Sequence, residues 1–158
     1  MSVAFVVVLA FGIGVVGGLR SMTAPAVVAW AAHLGGIGLS GTTLGFMGSS
    51  WCVGISTLAA LGEFVGDLMP WVPSRISAFP LAARIAVGAF TGTCLGVAGG
   101  MSLVAPALSG ALGAGIGAFG GYYARKKLVQ SLRVPDAVIA IAEDLVAVGL
   151  GLIIVSRF

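Results

Sequence analysis

The sequence predicts an all-α membrane protein of six transmembrane helices, arranged as two inverted three-helix repeats. Three observations carry that prediction. Of the 158 residues, 59% are hydrophobic and only 8% are charged, whereas a soluble domain is roughly a quarter charged. The apolar stretches run unbroken, as in SVAFVVVLAFGIGVVGGL, where barrel strands would alternate with period two. A glycine-rich motif recurs once in each half of the chain. This composition excludes a soluble globular domain, a disordered tail and a nucleic-acid binder. The expected partner is the lipid bilayer, with no nucleic acid and no cofactor.

A spanning helix needs about 20 mostly apolar residues. The chain therefore has room for at most about six or seven such helices and for no second, soluble domain, so residues 1–158 are expected to form a single membrane domain. The first segment is Ser2–Leu19, a continuous apolar run. The second, Met22–Leu39, opens with Thr-Ala-Pro, and Pro25 is tolerated in a helix's first turn. The third, Trp51–Met69, is bracketed by Trp51 and Trp71. The fourth is Leu81–Gly100. The fifth, Leu103–Tyr123, again opens on Ala-Pro at Pro106 and closes on Tyr122 and Tyr123. The sixth, Asp136–Ser156, begins with Asp136, a carboxylate placed to cap backbone N–H groups and favoured by the helix dipole. The tryptophans and tyrosines suit interfacial anchors.

The cations test the number of crossings. They are Arg20, Arg75, Arg84, Arg125, Lys126, Lys127, Arg133 and Arg157. With six crossings the first seven fall on one side, and only Arg157 falls on the other. That is the arrangement the positive-inside rule prefers, with both termini outside the cytoplasm. No cleavable signal peptide is evident, because the N-terminus lacks a basic region and a cleavage site. Anionic-lipid contact is a secondary use of the Ala124–Lys127 cluster.

GVVGGLRSMTAPA (Gly14–Ala26) aligns with GVAGGMSLVAPA (Gly96–Ala107) after one gap at Arg20. The same register sets Glu63 opposite Glu143. Repeat 1 then covers about residues 1–80 and repeat 2 about 81–158. Three crossings per half invert the second repeat, the architecture of many secondary transporters. The Ala-Pro stretches read as plain helix starts, with a broken helix as the alternative. Gly113, Gly117 and Gly121 share one face of segment five, as Gly96 and Gly100 do in segment four. Small residues at this spacing let helices approach closely in lipid, either within the chain or across a homodimer, which is the oligomer expected from the chain's size.

Ionised groups inside lipid are costly and mark bundle interiors or cavities. Glu63 and Glu143 are read at mid-depth, as a symmetric site for a cation or proton, joined by Asp67 and Asp144. Arg20 is expected to pair with Asp67 and, with Ser21 and Thr23, to orient or gate that site. Burial raises a carboxylate's pKa and an arginine lowers it, a tension suited to proton coupling. The same acids could instead hold helices together. Enzyme motifs are missing: there is no GxSxG, HExxH or GxxxxGK[ST]. His33 reads as a satisfied polar side chain. Cys52 and Cys94 read as small apolar residues, and Met22, Met47, Met69 and Met101 are scattered, a weak basis for a soft-metal path. The sequence names no metal.

GLRSMTAPAVVAWAAHLG, LGEFVGDLMPWVPSR, AARIAVGAFTGTCLG, GAFGGYYARKKL and IAEDLVAVGLG together resemble, end to end, a family of small bacterial integral membrane proteins catalogued as domain-of-unknown-function family 4126. That resemblance implies a multi-pass protein of the bacterial inner (plasma) membrane and no particular activity. A looser likeness is to cation exchangers built from two three-helix repeats with an E-x-G-D motif. Here Glu63–Asp67 has one extra residue before the glycine, and no glycine-aspartate follows Glu143-Asp144. The function expected is a small secondary transporter, cation- or proton-coupled. The alternative is a non-catalytic scaffold that packs partners through its glycine faces.

Overall fold

The computed structural model of the protein describes residues 1–67 and 76–158. Six α-helices run in order: α1 Val3–Leu19, α2 Thr23–His33, α3 Ser50–Gly66, α4 Ala78–Ala98, α5 Val104–Leu132 and α6 Asp136–Val155. A short 3-10 turn, Gly45–Gly48, precedes α3, and no strand occurs among the described residues. Helices α4, α5 and α6 are long and apolar enough to cross a membrane, and α1 and α3 are shorter apolar helices. Each expected segment contains one of these helices. The expected end of segment three at Met69, the anchor Trp71 and the cation Arg75 lie outside the described residues.

Two boundaries differ from expectation, each for a local reason. Segment two is helical only to His33, not to Leu39. Gly35 takes a left-handed φ of 75°, and the Gly36 N–H returns to the Ala31 carbonyl at 2.8 Å, a glycine closure that ends a helix. At 1.5 Å per residue α2 covers roughly 17 Å, against about 30 Å of hydrocarbon. Ile37 and Leu39 still reach the core, 2% and 1% exposed, but from a loop. Segment five runs past Tyr123 to Leu132, giving 29 residues and roughly 44 Å. It stops where Arg133 adopts a left-handed φ of 52°, two residues before Pro135. Pro25 and Pro106 each stand third in their helices, so both Ala-Pro stretches are plain helix starts.

The centre is a glycine seam where α1, α4 and α5 meet. A methyl on Gly110 would overlap the Gly88 carbonyl, and one on Gly14 would overlap Gly110. On Gly113 and Gly117 it would strike the carbonyls of Phe11 and Val15, and on Gly96 the ring of Pro106. Gly121 is buried on the same helix. Backbones therefore touch directly, the close packing by which helices associate in lipid. The Ser109 hydroxyl donates across the seam to the Val7 carbonyl at 2.9 Å. Gly100 is different: it has a φ of 71° with open space around it and serves the α4–α5 turn. The two halves do not pack alike. α1 lies along α5, whereas α2 meets α4 only slightly.

Candidate functional site

Consecutive helices alternate in direction, which brings the chain's charges together at one end. The C-termini of α1 and α3, the start of α2, the first halves of α4 and α6 and the last third of α5 all meet there. Arg20, Arg84 and Arg125 face the five acids Glu63, Asp67, Asp136, Glu143 and Asp144. These are all the acids the sequence has.

Arg20 caps the C-terminus of α1 with an extended backbone and is 0% exposed. Its Nη1 lies 2.8 Å from Asp67 Oδ2, the pairing expected from the sequence. Its Nε lies 2.5 Å from Asp144 Oδ1 on α6. Nη2 donates to the Ala140 carbonyl at 3.5 Å, and the guanidinium stands 5.7 Å from the centre of the Phe64 ring, within cation–π range. A buried charge of this kind is tolerable only when paired. Two carboxylates from two helices supply that pairing.

Glu63 is fourteenth of the 17 residues of α3, so it stands at the charged end of its helix and not at mid-depth. Its Oε1 accepts from the Ser21 N–H and hydroxyl, both at 2.9 Å, and its Oε2 accepts from the Met22 N–H at 2.8 Å. Arg84 Nη2 donates to Oε1 at 3.1 Å. Arg84 Nη1 donates to the Gly18 and Leu19 carbonyls, both at 3.0 Å. A helix's end leaves carbonyls without partners and a helix's start leaves amides without partners. Arg84 and Glu63 satisfy one set each, so a single ion pair fastens the α1–α2 junction to α3 and α4. In the sequence Arg84 is legible only as a topology signal. Its position seven residues inside apolar α4 was the cue to more.

Arg125 on α5 binds Asp136 in two-pronged fashion: Nε donates to Oδ1 at 2.9 Å, and Nη2 pairs with Oδ2. Its Nη1 also pairs with Asp67 and lies 3.7 Å from Glu143 Oε2. Asp136 is the first residue of α6, not its N-cap, and Pro135 at that position offers no side-chain cap. The Asp136 carboxylate reaches back to Arg125. Glu63 and Glu143 are thus held by different arginines. The Thr23 hydroxyl is buried with no hydrogen-bond partner among the described residues. No three His, Cys, Asp or Glu side chains converge to hold a metal among the described residues. At the other end, exposed His33 places Nδ1 2.8 Å from the Gly48 carbonyl, the satisfied polar role expected of it.

These features define a class: a multi-helix membrane protein whose acids are gathered into one arginine–carboxylate network. Within it, the chain belongs to the family described as Domain of unknown function (DUF4126), whose family model matches residues 7–156. No curated protein and no solved structure matched the chain.

Proposed function

We propose that the protein is a small secondary transporter of the inner membrane, coupled to protons or another cation, and that the ion-pair network is the latch of one gate. The observation that carries this reading is Arg20, wholly buried between Asp67 at the end of α3 and Asp144 on α6. A proton on either carboxylate removes charge that holds the guanidinium. Protonation and loosening of this end then become one chemical event. Ionisable residues inside a bundle mark ion and proton pathways. Half-length α2, with its start at the network, resembles the discontinuous helices that build transporter sites.

In this reading Glu63 is the fixed anchor, and Asp67, Glu143 and Asp144 carry the exchangeable charge. Ser21 holds Glu63, and the Thr23 hydroxyl remains as a polar group beside the path. The two halves cross in opposite orientations, with both termini outside the cytoplasm and residues 34–49 completing the layer that α2 leaves short. The matching positions of Pro25 and Pro106 support the duplication. The scaffold alternative rests on glycine faces free for partner helices, and Gly96, Gly113 and Gly117 are occupied within the chain.

The test is proton and cation flux in proteoliposomes for wild type, Asp144→Asn, Glu143→Gln and Glu63→Gln. The expected result is coupled flux in the wild type that collapses in Asp144→Asn and Glu143→Gln with folding intact. A well-folded wild type that moves no tested ion, or variants that transport like wild type, would sink the proposal. Co-purification of a stoichiometric partner would then favour the scaffold.

A further inference from the structure

An apolar groove of about 250 Å³ lies between α3 and α6. Both helices pack on short α2, whose Thr23 and Val27 form the buried floor. Leu61 on α3 and Leu152 on α6, each about half exposed, form the rims. At the outer end Trp30 Nε1 donates to Thr57 Oγ1 at 3.0 Å, and both residues line the groove. Thr23 and Phe64 stand two helical turns further in, roughly 10 Å away, joined there by Val148. Each of these three adjoins one member of the buried triad. Phe64 precedes Asp67 by three positions, Val148 follows Asp144 by four, and the Thr23 N–H donates to the Arg20 carbonyl at 3.3 Å. The Arg20 guanidinium lies 5.7 Å from the centre of the Phe64 ring. The groove therefore ends at Arg20, Asp67 and Asp144. Two features there call for a ligand. Thr23 is 2% exposed, and its hydroxyl has no hydrogen-bond partner among the described residues, an unmade bond that folding penalises. Arg20 serves Asp67 and Asp144 together, and Asp144 pairs with no other cation among the described residues.

We infer that this groove binds a primary arylalkyl ammonium, an aromatic ring on a short tail that ends in a protonated amine. As a substrate assignment it rests on the transport reading; as a binding site it stands without it. Apolar walls with a few polar groups that fix orientation are the usual make-up of small-molecule sites. The size fits: a cavity of about 150 Å³ holds a benzene ring, so about 250 Å³ leaves room for a tail of a few heavy atoms. The ring enters sideways from the bilayer, past Leu61 and Leu152, and lies between Trp30 and Phe64, where aromatic neighbours favour it. The ammonium reaches the inner end. There the Thr23 oxygen accepts one N–H, and the carboxylate charge of Asp144, one turn deeper, offsets the loss of water. A quaternary ammonium has no N–H to give the hydroxyl, and an inorganic cation has no body to fill the walls.

The experiment is equilibrium dialysis of radiolabelled 2-phenylethylamine, protonated at neutral pH, against the full chain in nanodiscs, with empty nanodiscs as the blank. The expected result is saturable binding of one amine per chain. Asp144→Asn weakens it by about 100-fold. Thr23→Val, which keeps the shape and removes the hydroxyl, weakens it by about tenfold. Leu61→Trp at the exposed rim fills the groove and abolishes binding without touching a charge, so the test survives an Asp144→Asn chain that fails to fold. Neutral 2-phenylethanol binds about 100-fold more weakly than the amine. Folded wild type without saturable binding overturns the site. So does binding that survives Leu61→Trp, or 2-phenylethanol bound as tightly as the amine, which would make the groove a seat for lipid chains. Amine binding without any flux keeps the site and removes the transport reading. Flux of protons or inorganic cations without amine binding overturns the site and leaves that reading standing.

Discussion

Two stretches follow an Ala-Pro helix start, and both are rich in glycine. After Pro25 the helix lasts 11 residues and breaks at Gly35. After Pro106 it lasts 29 residues and runs straight through Gly110, Gly113, Gly115, Gly117, Gly120 and Gly121. Glycine content alone does not separate them. In α5, Gly110, Gly113 and Gly117 sit against carbonyls of α1 and α4, whereas Gly35, Gly38 and Gly41 have nothing within 4 Å of a would-be Cβ. A glycine that lets a neighbouring backbone in is repaid by contact along the whole helix. A glycine facing open space gains no such contact, and at Gly35 and Gly41 its use is the left-handed turn it permits.

The starts of the two helices differ as well. α2 begins on amides held by Glu63, while α5 has no side-chain cap. The sharpest way to break the comparison is therefore Glu63→Ala. It strips the carboxylate from the Ser21 and Met22 amides and from Arg84. The expected loss is about 3–5 kcal/mol, the size typical of breaking a buried pair, read from reversible unfolding in mixed detergent. An unfolding curve unchanged from wild type would show that α2 starts without its anchor.

Next in size is a pair on α5. Gly110→Ala forces a methyl into the Gly88 carbonyl, where neither backbone can yield, and should cost about 3 kcal/mol. Gly115→Ala meets open space and should gain about 0.5–1 kcal/mol from helix propensity. Equal effects from the two would show that the seam does not set the length of α5. The smallest expected change is Gly35→Ala, which places a side chain at a left-handed φ and should cost about 1 kcal/mol. A gain there, with more helical circular dichroism, would mean that α2 is held short by sequence and not by its loop.

Much of this was legible beforehand. The apolar runs fixed the number and order of helices, and charge placement foretold that Arg20, Arg84 and Arg125 would gather on one side. The Arg20–Asp67 pair followed from helix ends at equal depth. What hydropathy could not give was the end of α2, because Ile37 and Leu39 are apolar for the core while Gly35 and Gly36, just before them, turn the chain. Nor could it give the partners of Asp144 and Glu63, which come from helices distant in sequence.

The order of synthesis adds a consequence of the network. Arg20 and Arg125 emerge from the ribosome before α6, which brings three of the five acids. The last helix thus enters a bundle whose cations are already waiting. A nascent chain halted before Asp136 leaves Arg20 without its Asp144 contact and Arg125 without its two-pronged mate. The arrival of α6 turns the balance over: three arginines that face two acids, Glu63 and Asp67, come to face five.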